Sequence, residues 1–314
     1  MAEYLERLVD KAAAELLSAL PALQFVGPRA CGKTTSAARL ARTIVRLDRP
    51  ADATAFQADP DAALRGLEEP VLLDEWQAVP EVLGAVKRAV DRDARAGRFV
   101  LTGSVRADLQ AATWPGTGRL VRLQMGPMTV GERTARAPRP LIDRLVEGVS
   151  PVPASRPCDL RDYVELALRS GFPEATLMAN DAARERWLTS YVEQLITRDA
   201  LELEGRRDPA RLRKYFEAYA LSTAGIVEDR TLFEAAGVNR KTAAAYEQLL
   251  TNLLVVEALP AWSSNRLKRL TGRPKRHLVD VGMLTGAIGI DASAVMMSGD
   301  LLGRVLESFV VTHL

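Results

Sequence analysis

Eight consecutive residues, Gly27-Pro28-Arg29-Ala30-Cys31-Gly32-Lys33-Thr34, fill every fixed position of the pattern G-x-x-x-x-G-K-[ST]. Each residue type has a chemical reason to be there. The glycines let the backbone curl so that successive N–H groups face a β-phosphate. A helix that opens near Lys33 adds its positive end to the same oxygens. The Lys33 ammonium reaches toward β- and γ-phosphates, and the Thr34 hydroxyl is placed to ligate Mg2+. Cys31, inside the loop, is expected to face away from the nucleotide. With Thr35, the loop residues form the expected nucleotide-binding set.

A phosphate cradle also needs a metal ligand and a group that orients water. Val71-Leu72-Leu73-Asp74-Glu75 supplies both types. The apolar run carries Asp74 to the carboxyl edge of a sheet, where it would hold Mg2+, mostly through water. Glu75 would polarise the attacking water. A second apolar run, Phe99-Val100-Leu101, ends in Thr102-Gly103-Ser104, and either hydroxyl, Thr102 or Ser104, is placed to sense the γ-phosphate or the water. Arg119 is the candidate that stabilises transition-state charge. Arg106 and Arg122 compete with it.

These groups need a scaffold. A helical pattern runs from about Glu3 to Leu20. Leu23–Val26 reads as a buried strand, Thr35–Val45 as a helix, Val71–Leu73 and Phe99–Thr102 as strands, and Pro80–Ala96 as a helix. Strands alternating with helices imply a parallel sheet with helices on its faces. The fold class expected is α/β, a P-loop sheet with flanking helices, followed by a mainly helical domain. The 314 residues suit two domains. We place the first at 1–135, a Pro-rich linker at 136–159, the helical domain at 160–290 and a further region at 291–314.

Composition limits the classes. The chain is 47% hydrophobic and 26% charged, which excludes wholesale disorder. Its 42 basic and 40 acidic residues leave a formal charge of +2, so only a local patch can argue for nucleic acid. Two cysteines and two histidines exclude a disulfide framework and a Cys- or His-ligated zinc site. There is no bilayer-length apolar run and no signal-peptide pattern, so no membrane partner is expected and the expected compartment is the cytoplasm.

Taken together, the loop at Gly27, Leu47-Asp48-Arg49-Pro50, Leu72-Leu73-Asp74-Glu75-Trp76-Gln77-Ala78-Val79-Pro80, Leu101-Thr102-Gly103-Ser104, Gly118-Arg119 and Gly126-Pro127-Met128-Thr129-Val130-Gly131-Glu132 resemble the AAA+ superfamily ATPases of bacteria and archaea that carry a C-terminal domain of unknown function. Met128 stands where the pattern has Leu, and Trp76 fills a variable position. Further on, Gly171-Phe172-Pro173-Glu174, Thr197-Arg198-Asp199, Gly272 to His277 and Asp280-Val281-Gly282-Met283-Leu284 resemble the second half of the same proteins. The resemblance implies that Arg198 reaches the nucleotide from the second domain. It also implies that Leu302–Val310 opens a nuclease-like domain that is cut short.

Within the second half, Thr231–Ala236, a turn at Gly237, and Arg240–Leu250 capped by Asn239 read as a helix-turn-helix. An apolar run, Leu253–Leu259, and a basic stretch with Arg266, Lys268, Arg269, Arg273, Lys275 and Arg276 read as the wing of a winged helix. Duplex DNA or a protein is the expected partner of this module. In the last segment Leu302, Val305, Leu306, Phe309 and Val310 form one apolar stripe, which predicts packing on the second domain, exposure or self-association. The activity expected is ATP binding with Mg2+-dependent hydrolysis coupled to domain motion. The alternative is a nucleotide-gated DNA- or protein-binding switch with little turnover. A DNA-processing enzyme lacking its nuclease part is a third class.

Overall fold

The computed structural model describes residues 4–103, 118–134, 141–149, 158–199 and 208–313, and the chain divides into two compact units between Gly126 and Pro127. The division falls nine residues before the expected end of the first domain.

In the first unit, α1 (Leu8–Ala19) opens with the Arg7 N–H donating to Asp10 and stops before Pro21. It leads to β1 (Ala22–Val26), buried along its whole length. Then come α2 (Lys33–Ala38), β2 (Thr43–Arg46), α3 (Pro50–Ala58) and α4 (Pro60–Leu64). Next are β3 (Val71–Asp74), a tight turn at Trp76–Ala78, α5 (Val82–Arg92), β4 (Phe99–Thr102) and β5 (Leu120–Gln124). The sheet is parallel throughout, in the order β2-β3-β4-β1-β5. After β1 the chain crosses to the far strand and works back, so β4 lies between β1 and β3. This order brings the ends of β1, β4 and β3 side by side at the carboxyl edge, where the strand order reverses.

One expectation fails here. The helix predicted over Thr35–Val45 ends at Ala38, and Thr43–Arg46 is a strand. The β-branched run Thr43-Ile44-Val45 favours the pleat, and pairing with β3 decides it. Trp76, read as a neutral variable position, is fully buried and packs with Leu73, Val82, Val86, Phe99 and Leu101.

The second unit is mainly helical. It comprises α6 (Val130–Arg133), α7 (Leu141–Val146), α8 (Leu160–Leu168), α9 (Pro173–Thr176), and α10 (Asp181–Gln194), which runs into a wide turn at Leu195–Asp199. It continues with α11 (Pro209–Leu221), α12 (Asp229–Ala235), α13 (Arg240–Asn252), β6 (Val256–Leu259), α14 (Arg266–Thr271), β7 (Lys275–Leu278), α15 (Met283–Ile288), α16 (Ala292–Met297) and α17 (Gly299–Val311). The strands β6 and β7 pair antiparallel. Asn239 caps α13 by accepting from the Thr242 N–H at 2.9 Å, as its position before the helix predicts.

The last helix falls within this unit. Its buried residues are Leu301, Val305 and Ser308, whereas Val310, expected inside the stripe, is 53% exposed. Leu302, Leu306 and Phe309 are only partly buried. The Ser308 hydroxyl bonds Thr223 at 2.7 Å and lies 3.2 Å from His277 Nδ1. That polar seat turns the buried face of the helix toward the small residue at 308, a choice hydrophobicity alone does not reveal.

Candidate nucleotide site

The loop after β1 is built from two departures of the backbone into the left-handed region, Ala30 at φ 59° and Gly32 at φ 99°. Gly32 meets that requirement without cost, and Ala30 does so with strain of the kind that clusters at ligand-binding turns. A Cβ on Gly27 would overlap the Met125 carbonyl oxygen, so the first glycine is required by close approach. Lys33 Nζ donates to the Gly27 and Pro28 carbonyls at 2.9 and 2.8 Å, folding the ammonium back over the loop. Arg29 and Thr35 are exposed, and Pro28 is buried. Cys31 is fully buried, its thiol donating to the Met125 carbonyl at 3.4 Å. Burial pushes this thiol's pKa up, so it is an unreactive plug beneath the loop.

Beside the loop, Thr34 Oγ1 donates to Asp74 Oδ1 at 2.7 Å. The Thr102 hydroxyl, fully buried at the end of β4, donates to the same oxygen. The sheet order produces this junction, since β4 stands between the loop strand and the aspartate strand. Glu75 follows with a left-handed backbone at φ 51°, unusual for a residue with a side chain. Its carboxylate accepts from Gln77 Nε2 within the turn Trp76–Ala78. The structure therefore gathers Lys33, Thr34, Asp74 and Thr102 at one edge, with Glu75 at the mouth of β3.

Other expected residues are not gathered. Arg119 precedes β5, whose register pairs Leu120 with Ala22 and Gln124 with Val26. Five residue steps of strand, about 17 Å, separate Arg119 from the loop edge. Its guanidinium is ion-paired with Asp91 at the opposite edge. The structure thus does not bring Arg119 to its own loop. Arg122 sits mid-strand beside Gln24 and is exposed. Ser104 and Arg106, and the side chain of Arg198, lie outside the described residues.

Two residues went unassigned in the sequence. Gln77 holds Glu75; its fixed place after Asp74-Glu75 was visible, but its role was not. Arg7 is 5% exposed and donates through Nη1 to the Cys31 carbonyl and through Nη2 to the Gly126 carbonyl, both at 2.8 Å. It braces the loop from beneath, and nothing in a lone arginine of an amphipathic segment announces this. Nearby, Tyr4 OH bonds Asp10 and Ser36 Oγ, the latter at 2.8 Å, and burial pushes the phenol's pKa up to about 12.

In the second unit the motif residues form a structural cluster. Asp280 Oδ2 accepts from the Gly171 N–H at 2.6 Å, and Met128 N–H donates to Gly171 O at 2.6 Å. Arg133 Nη1 donates to Ser170 O and Thr176 Oγ1. Burial raises the Asp280 pKa. Glu132 closes a capping box with Thr129 and is buried. The basic stretch shrinks: Arg276 is buried between Glu247 and Asp229, Arg273 pairs with Glu228, and Lys275 pairs with Glu307. Among the described residues no cluster of three or more His, Cys, Asp or Glu could hold a metal, and no helix is long and apolar enough to cross a membrane.

Comparison with known proteins supports the fold. Residues 21–134 match a family described as an AAA domain, and residues 160–294 match a domain of unknown function. Uncharacterized proteins of Mycobacterium tuberculosis and Mycobacterium bovis are each 29% identical over 311 residues, which is 96% of this chain and 65% of theirs. The chain thus spans about two thirds of the length of the curated relatives it matches. A Walker-type ATPase of Pyrococcus abyssi superposes with a TM-score of 0.54 at 14% identity, covering 90% of this chain and 96% of that one. The first unit accordingly has the fold of a P-loop ATPase of AAA type, followed by a mainly helical unit.

Proposed function

We propose that the chain binds ATP at the Gly27–Thr34 loop and hydrolyses it with Mg2+, using the reaction to move its second unit. The observation that supports this most is the convergence of Lys33, Thr34, Asp74 and Thr102 at one edge of the sheet. The Thr34 hydroxyl and the Asp74 carboxylate, 2.7 Å apart, are the hard oxygen donors that Mg2+ prefers. When bound there, Mg2+ would neutralise charge on the β- and γ-phosphates. Lys33 exchanges its loop carbonyls for phosphate oxygens. Thr102 fixes the Asp74 carboxylate. Glu75, once released by Gln77, orients a water for in-line attack.

The hydrogen bond from Gln77 to Glu75 also favours a second reading, a switch that binds nucleotide and turns over slowly. Turnover and nucleotide binding measured on Glu75→Gln and Gln77→Ala separate the two. If Glu75 is the base, Glu75→Gln retains ATP binding and loses turnover. A wild-type chain that binds ATP and shows no turnover for Glu75→Gln to abolish supports the switch. A chain that binds no ATP ends both readings.

A further inference from the structure

The structure redistributes the charge of the second unit, and what it leaves uncovered is specific. The ion pairs Arg276–Asp229, Arg276–Glu247, Arg273–Glu228, Lys275–Glu307 and Arg230–Glu234 consume most of the charge around α12, α13 and the hairpin. Among the described residues, four cations there have no carboxylate partner: Arg240 and Lys241 at the start of α13, and Lys268 and Arg269 on α14. The one exposed carboxylate left over in this region is Glu257, on β6.

The outer face of α13 has a consistent chemistry. Ala243, Tyr246, Leu249 and Leu250 bury the inner face. Arg240, Lys241, Ala244, Gln248 and Thr251 are exposed, and no acid is among them. The helix's single acid, Glu247, is half-buried and held by Arg276. Ala244 at the centre permits close approach, while Arg, Lys and Gln are the side chains that read base edges. Beside the start of α13 lies a cavity of about 500 Å3, in which Arg230, Arg240, Arg273 and Arg276 outnumber Glu228 and Asp229. Across the β6–β7 connection, Trp262 is exposed beneath the Arg269 guanidinium, 5.7 Å from its ring centre.

We propose that this face binds duplex DNA, with α13 in the major groove, Arg240 and Lys241 at its leading end, and Lys268 and Arg269 on the flanking phosphates. The argument is charge complementarity on a helix-turn-helix followed by an antiparallel hairpin. It is independent of the nucleotide site, so the test needs no ATP. The full chain is titrated into a fluorescent 24-base-pair duplex, with anisotropy read from 50 to 200 mM salt. Arg240→Ala with Lys241→Ala, both at exposed helical positions where alanine favours the helix, serves as the variant. Far-ultraviolet circular dichroism checks its fold. The expected result is duplex binding that weakens steeply with salt, a tenfold or greater rise in Kd for the variant, and a salt slope shallower by about 2. Absence of duplex binding at 50 mM salt overturns the proposal. So does an unchanged variant, or tighter binding to an RNA stem of the same length.

Discussion

Each unit holds a buried aspartate at or just past the end of a strand, and the two are held differently. Asp74 ends β3 and accepts from the hydroxyls of Thr34 and Thr102. Asp280 lies two residues past β7 and accepts from the Gly171 backbone N–H. Hydroxyl donors rotate and can hand the carboxylate to a cation. A backbone amide is fixed, and its bond closes the turn at Gly171 over Asp280. Burial raises the Asp280 pKa, against the pull of the Gly171 N–H on its carboxylate.

This comparison can be broken at several points. The largest effect belongs to Lys33→Ala, which removes the cation that the loop is curled around. ATP hydrolysis should fall to background with the thermal transition unchanged; turnover equal to wild type would remove the nucleotide site from that loop. Next is Glu75→Gln, for which turnover should drop by about 10² or more while bound ATP is retained. Gln77→Ala tests the restraint on that carboxylate from the other side. It should change kcat several-fold with little change in KM, and an effect on KM alone would make Gln77 a binding residue.

Smaller effects are expected from the second aspartate. Asp280→Ala leaves the buried Gly171 N–H without its acceptor and should destabilise the second unit by about 1–3 kcal/mol. Below its melting transition, ATP affinity should stay at wild-type level; a loss of ATP affinity in the folded variant would make Asp280 a functional residue like Asp74. Gly171→Ala forces a methyl against the Met128 carbonyl and should cost a similar amount, about 1–3 kcal/mol.

The smallest is a pH effect. His313 Nε2 accepts from the Val130 N–H at 3.0 Å, and Nδ1 donates to the Phe309 carbonyl at 2.7 Å, which requires the neutral ring. Burial lowers its pKa, with Glu132 and Arg133 exerting opposed and smaller pulls. The unfolded chain then protonates first, near pH 6.5. The stability His313 contributes is complete above that pH and is lost as pH falls toward the folded value. Between pH 7.5 and 5.0 wild type should lose about 2–4 °C more in Tm than His313→Gln. An equal loss in both would mean that the ring does not stay neutral in the fold.

Sequence alone determined the candidate nucleotide motifs of the first unit. The Gly27–Thr34 spacing and the Asp74-Glu75 strand end are local patterns, and a phosphate loop needs only its own backbone, a strand before and a helix after. The same locality made the cap at Asn239 and the turn at Gly237 legible. Sequence also pointed to the strands bearing Asp74 and Thr102, because each is a short apolar run ending on a polar residue. Tertiary structure decided the rest. It placed Thr102 on Asp74 and Arg119 at the opposite edge, because strand order, not chain order, sets which ends are neighbours. It turned Thr43–Arg46 into a strand through pairing with β3. It converted Arg7 and Asp280 into buried hydrogen-bonding residues and cancelled half of the basic stretch through distant carboxylates. These outcomes depend on partners tens of residues away, brought close by the burial of the sheet and the helical core, and no local pattern encodes such a partner.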